Sequence, residues 1–302
     1  MKTPLTTPHP IRWAGALGIS LLLAASAPAA LVGSWTFDDN TLTESSGYKP
    51  TGTHDGLAIG NIGYTTGVRG TLGALDLRGG FGAVKVKNSH NNNPGGTGPE
   101  GSYQDTFNEH LYNSAAGFTV AFWAKGKPRD SWSPWIARKG EDSWGYQVRQ
   151  EGGSGHATFT IRSSSGDDDP NMATTDFSDG RWHHLAAVYD PVNGKRLLYV
   201  DGVAEIDIPD GGIGSTAGEY LTFGARHNNY NNPNDFENFS RVALDEIKFY
   251  DTALAAGEVQ TLVGDPWIYV DSLPTTLQVG GSDLAVSVTV PATLVATSTV
   301  AS

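Results

Sequence analysis

Alternation of apolar and polar positions dominates the chain. Its clearest run is Arg181-Trp182-His183-His184-Leu185-Ala186-Ala187-Val188-Tyr189-Asp190, followed by Lys195-Arg196-Leu197-Leu198-Tyr199-Val200-Asp201-Gly202. Successive side chains of a strand point to opposite faces, so a period of two gives one buried and one outer face. Between the runs, Asp190-Pro191-Val192-Asn193-Gly194 supplies a fixed φ at Pro and tolerance of positive φ at Asn and Gly; Asp201-Gly202 makes a second turn. Consecutive hairpins of this kind predict an antiparallel sheet.

The same reading predicts strands over 31–37, 74–77, 82–86, 118–124, 135–138, 146–150, 157–163, 183–189, 196–200, 203–208, 220–225 and 244–250. Many short strands separated by turn residues make an all-β sandwich or barrel. One short amphipathic helix is predicted over 255–263, weakened by Gly257. The polar, Asn- and Gly-rich segment 88–101 reads as a surface loop, and no fixed-period repeat is present. Beyond Gly264 the composition turns to Thr, Val, Ser, Leu and Ala, with alternation over 284–290. Residues 264–302 are too few to bury a core alone, so they are either a tail or the start of a truncated second β-domain.

The run from Arg181 to Gly202, together with Phe118-Thr119-Val120-Ala121-Phe122-Trp123 upstream and Leu244-Asp245-Glu246-Ile247-Lys248-Phe249-Tyr250 plus Thr252-Ala253-Leu254 downstream, resembles the laminin G-like, concanavalin A-like lectin family. The resemblance covers residues 31 to about 263. It implies an antiparallel jelly-roll β-sandwich with one short C-terminal helix, and a protein that binds rather than one with an obvious reaction.

Residues 1–30 carry Lys2 and Arg12, an apolar run from Trp13 to Ala25, and Ala27-Pro28-Ala29-Ala30. That is the form of a secretory signal cleaved near Ala29 or Ala30. No stretch reaches the roughly 20 apolar residues of a spanning helix, so an exported, secreted or cell-surface protein without a membrane span is expected. Of 302 residues, 32 are acidic and 20 basic, for a net charge of −12. Without residues 1–30 the charge falls to about −14. This sign argues against nucleic acid, whose phosphates are neutralised by Lys and Arg. The absence of cysteine removes disulfides, thiol catalysis and zinc–cysteine sites.

The resemblance implies a structural calcium clipping the ends of the sandwich together. Calcium takes hard oxygen ligands, and the candidates are Asp38, Glu44 and Asp245, with backbone oxygens near Ser46-Gly47 and His54-Asp55. Glu44-Ser45-Ser46-Gly47 stands where the family places Asp before Ser-Gly, and each carboxylate reads equally well as an ordinary turn or strand-end residue. Asp167-Asp168-Asp169 reads as a solvated acidic loop, because adjacent side chains seldom converge on one ion. His183 and His184 are strand neighbours facing opposite ways; one is expected to hydrogen-bond within the fold and the other to face solvent.

Saccharides need flat aromatic platforms and polar groups for their hydroxyls, usually on loops. Trp132 beside Pro134 and the polar run Arg226-His227-Asn228-Asn229-Tyr230-Asn231-Asn232 give Trp132, Arg226, Asn228, Tyr230 and Asn232 as ligand candidates, with Trp144 also considered. Trp123, Trp135 and Trp182 read as core. The favoured partner is an extracellular polysaccharide; a surface glycan or protein, or a structural role, is the alternative. A third reading is enzymatic. Glu205-Ile206-Asp207-Ile208-Pro209-Asp210 is similar to the Glu-x-Asp-x-x-Glu strand of jelly-roll glucanases, where carboxyls about 5 Å apart act as nucleophile and acid/base. Asp210 in place of Glu, and Pro209 cutting the strand beside it, weaken that reading.

Overall fold

The computed structural model describes residues 29–68, 73–87, 89, 117–138, 145–163, 166–168, 171–209, 220–228, 232 and 234–264, with 277–279, 282–284, 287–289 and 293–295 in the tail. The expected leader up to residue 28, Trp144, Asp210, Tyr230 and nearly all of the 88–101 loop lie outside the described residues.

In chain order the elements are β1 (Leu31–Trp35), β2 (Gly56–Gly60), β3 (Gly63–Thr65), β4 (Ala74–Asp76), β5 (Gly82–Val86), β6 (Phe118–Lys125), β7 (Pro134–Arg138), β8 (Gly145–Gln150) and β9 (Ala157–Ser163). There follow β10 (Gly166–Asp168), β11 (Trp182–Asp190), β12 (Lys195–Val200), β13 (Val203–Pro209), β14 (Thr222–Phe223), β15 (Arg226–His227), β16 (Phe236–Glu237), β17 (Ala243–Tyr250) and the helix α1 (Ala256–Val263). The first sheet runs β13-β12-β11-β6-β17-β4-β3, with β1 also on β17; the second runs β10-β9-β8-β7-β14-β5-β2. Neighbouring strands in both are antiparallel.

The two sheets close over one core, to which the first contributes Phe122, Leu185, Leu198 and Phe249 and the second Val84, Ile136, Val148, Phe159 and Phe223. Trp35 joins the layers, its ring edge-on to Phe223 at 5.1 Å and to Phe249 at 6.1 Å. Trp135 is fully buried, as its place in a strand suggests. The outer face of the first sheet is covered too. Leu254 and Val259 of the α1 region pack on Ala121, Ala186, Val188 and Tyr199, while Trp182, Val68, Ala74 and Ala243 form a smaller cluster with Trp123.

The turns behave as their residues dictate. Asn193 N–H donates to Asp190 Oδ1 at 3.0 Å and its side-chain amide to Oδ2 at 2.7 Å. Asp201 and Gly202 hold φ of 49° and 80°, a two-residue turn whose twist matches the strands it joins.

Four expectations are corrected. The strand over 220–225 shrinks to Thr222–Phe223, because Gly224 turns the chain at φ 82°. The acidic run is not a free loop at its start: Gly166–Asp168 is an edge strand paired with β9. The Asn-rich segment is a small hairpin, β15 against β16. His184 is buried and packs on Trp123 at 5.3 Å, so it does not face solvent. In the tail, Leu277–Val279 pairs with Ser282–Leu284 and Ser287–Thr289 with Thr293–Val295. Among the described residues no helix is long and apolar enough to cross a membrane.

Candidate saccharide-binding end of the second sheet

Strand direction decides which loops meet. β7 and β5 are both antiparallel to β14, so they run the same way and begin at the same end of the second sheet. Trp132 precedes β7 by two residues and Phe81 precedes β5 by one. β14 runs toward that end and leads through Gly224 into the β15–β16 hairpin. Gly224 N–H donates to Trp135 O at 2.9 Å, and the Ser240 hydroxyl to Pro134 O at 2.7 Å. Three segments far apart in sequence are thereby fixed at one end.

Trp132 is 40% exposed and sits at φ 65°, a conformation uncommon for a bulky residue. Its N–H donates to Gly152 O at 2.7 Å, and the Arg149 guanidinium lies over its ring at 4.5 Å. Arg149 is itself buried, its Nε donating to Thr160 Oγ1 at 3.1 Å. A cation on an aromatic face fixes the ring's orientation as well as adding attraction. Register places Thr160, Gln147, Ala137, Thr222 and Lys85 in one row across the sheet, all of them buried. Gln147 is fully buried with neither amide atom hydrogen-bonded. Arg149 and Gln147 escaped the sequence reading, although alternation with the core residues Tyr146 and Val148 places them on the outer face.

The hairpin candidates have local duties. Arg226 pairs with Glu237, Nε to Oε1 at 2.5 Å. Asn228 N–H donates to Asp235 O at 2.8 Å, and exposed Asn232 accepts Asn234 N–H at 3.2 Å. Buried His227 anchors the hairpin, Nε2 lying 2.9 Å from Asn232 O with the ring against Tyr220 and Phe236.

Two of the three calcium candidates accept backbone amides. Glu44 Oε1 accepts Ser34 N–H at 2.9 Å and Ser46 N–H at 2.7 Å. Asp245, fully buried, accepts Val68 N–H at 2.8 Å and Glu246 N–H at 2.8 Å. Asp38 keeps one buried oxygen without a partner. Among the described residues no group of three or more His, Asp or Glu is placed to hold an ion. Direct carboxylate–amide bonds hold the segments around Glu44 and Asp245.

Nor are the described glucanase carboxylates free. Glu205 accepts from Thr174 N–H at 2.6 Å, Thr175 N–H at 3.0 Å and the Thr175 hydroxyl at 2.7 Å; Asp207 pairs with Lys195 at 3.0 Å. His183 lies between Asp201, 2.7 Å from Nδ1, and Asp179, 3.2 Å from Nε2. Burial opposes charge on the ring, yet the two carboxylates outweigh it and raise the pKa above 6.5.

The sequence profile of the concanavalin A-like lectin/glucanases superfamily matches residues 98–260. The chain belongs to this superfamily. Among solved structures, this concanavalin A-like chain is similar to domain 4 of AbnA, a GH43 extracellular arabinanase from Geobacillus stearothermophilus, in complex with arabinotriose. That match has a TM-score of 0.56 and 21% identity over 78% of this chain and 98% of the other. It is also similar to botulinum neurotoxin type C, from a structure on cell entry through two ganglioside molecules (TM-score 0.54, 14% identity, 78% and 50% covered). The binding domain of botulinum neurotoxin DC in complex with SialylT gives a TM-score of 0.55 and 14% identity over 79% and 52%. The chain spans about half the length of these two neurotoxin chains, and at such identities the likeness is one of fold. No curated protein matches the chain.

Proposed function

We propose that this chain is an exported, non-catalytic carbohydrate-binding module that takes extracellular polysaccharide at the end of the second sheet, with Trp132 as its platform. The observation that carries this reading is an exposed indole, held at positive φ and braced by a buried arginine, beside a polar hairpin. An aromatic ring fixed before the ligand arrives loses little entropy on binding, and its apolar face suits the C–H face of a sugar. The arabinotriose, ganglioside and SialylT named with the structural neighbours support the same ligand class.

The test is electrophoresis of the protein through gels containing arabinan, arabinoxylan or mixed-linkage β-glucan. Wild type is retarded by at least one polymer. Trp132→Ala weakens that retention by about tenfold with the melting temperature unchanged. Unretarded wild type in every gel, or full retention in Trp132→Ala, overturns the proposal.

A further inference from the structure

At the same end of the sheet a second aromatic is built like the first. Phe81 is 62% exposed, and the Arg241 guanidinium lies 4.4 Å from its ring centre. Phe239 meets it edge-on at 5.7 Å and 86°. Arg241, which supports the ring, holds φ 58°, and its Nε is buried without a hydrogen-bond partner. Backbone strain held in place by its surroundings gathers at functional sites. Gly60 permits the arrangement: it has φ 66°, and a Cβ there would lie 2.0 Å from Phe81 O. Asn61 donates its N–H to Phe81 O at 3.2 Å. Phe81 with its edge-on neighbour Phe239 presents a small apolar surface, of the size and chemistry of a sugar subsite.

The placement of the two rings says what they bind together. β7 and β5 are separated only by β14, so the strand ends carrying Trp132 and Phe81 are about 10 Å apart. A chain of sugars bridges that span and a single ring does not. We propose that Phe81, with Arg241, is a second saccharide subsite beside Trp132, so that the ligand is a linear oligosaccharide laid along the sheet end from the start of β7 to the start of β5. This rests on the reading of Trp132 as a saccharide platform.

Calorimetry with arabino-oligosaccharides and cello-oligosaccharides, disaccharide to hexasaccharide, tests it. Wild type gains about tenfold or more in affinity from disaccharide to hexasaccharide, as a second contact on one chain requires. Phe81→Ala loses that gain while keeping the disaccharide affinity, and Phe81→Tyr restores it. If Phe81→Ala keeps the whole gain while Trp132→Ala weakens binding at every length, the second subsite is wrong and the Trp132 reading stands. If no oligosaccharide binds, or Trp132→Ala binds like wild type, both fall.

Discussion

Replacing Asp245 by Ala removes the link between the last long strand and the segment around Val68, 177 residues away in sequence. The carboxylate is fully buried and accepts two backbone N–H groups at 2.8 Å each. Charge-assisted bonds of this kind contribute about 1.5–3 kcal/mol each, and an amide left buried without an acceptor costs about 1–3 kcal/mol. Relief from burying a charge offsets part of the loss, so the net destabilisation is about 3 kcal/mol. For a domain of this size that lowers the melting temperature by about 9 °C. Urea unfolding of wild type and Asp245→Ala, each with calcium and with chelator, measures it. Because the lost interactions are with amides, the difference between the two proteins persists in chelator. A loss below about 1 kcal/mol, or one that exists only with calcium present, would refute the reasoning, and the calcium-dependent loss would favour an ion at this place.

Two further predictions concern the remaining buried and half-buried polar groups, alongside those for Trp132 and Phe81. The folded-state pKa of His183 is raised above 6.5, so its stabilising contribution is complete below pH 6.5 and is lost as pH rises through the folded value. Stability measured across that window falls in wild type and stays flatter in His183→Gln; equal slopes would exclude the Asp179–His183–Asp201 cluster as the cause. Glu205→Ala strands the Thr174 and Thr175 amides and lowers stability by about 1 kcal/mol, while saccharide retention is unchanged. Loss of an enzymatic activity with stability intact would instead return Glu205 to the glucanase reading.

Elements with strong alternation were legible in the sequence. The segments 82–86 and 157–163 match β5 and β9 end for end; β6, β8, β12 and β17 differ from the reading by one residue at one end, and β11 by one residue at each end. β2, Gly-Leu-Ala-Ile-Gly, was missed because it has neither polar alternation nor bulky branched residues throughout, and it exists by pairing with β5. The hairpin of Arg226–His227 with Phe236–Glu237 was read as loop because its anchor, buried His227, looks polar in sequence. Of the proposed site, Trp132 was found from its place beside a proline. Phe81 was not, since nothing in Gly79-Gly80-Phe81-Gly82 distinguishes an exposed Phe from a core one.

What the sequence determined by itself is local: period-two alternation sets strands and their inner faces, and Asp, Asn, Pro and Gly set the turns, because both depend on neighbours a few residues away. The tertiary structure alone decided that the starts of β5 and β7 and the end of β14 coincide, and that Arg149 and Arg241 each lie on an aromatic ring. Those meetings depend on strand order and register between segments far apart along the chain, and register is set by the packing of a whole sheet face rather than by any one segment.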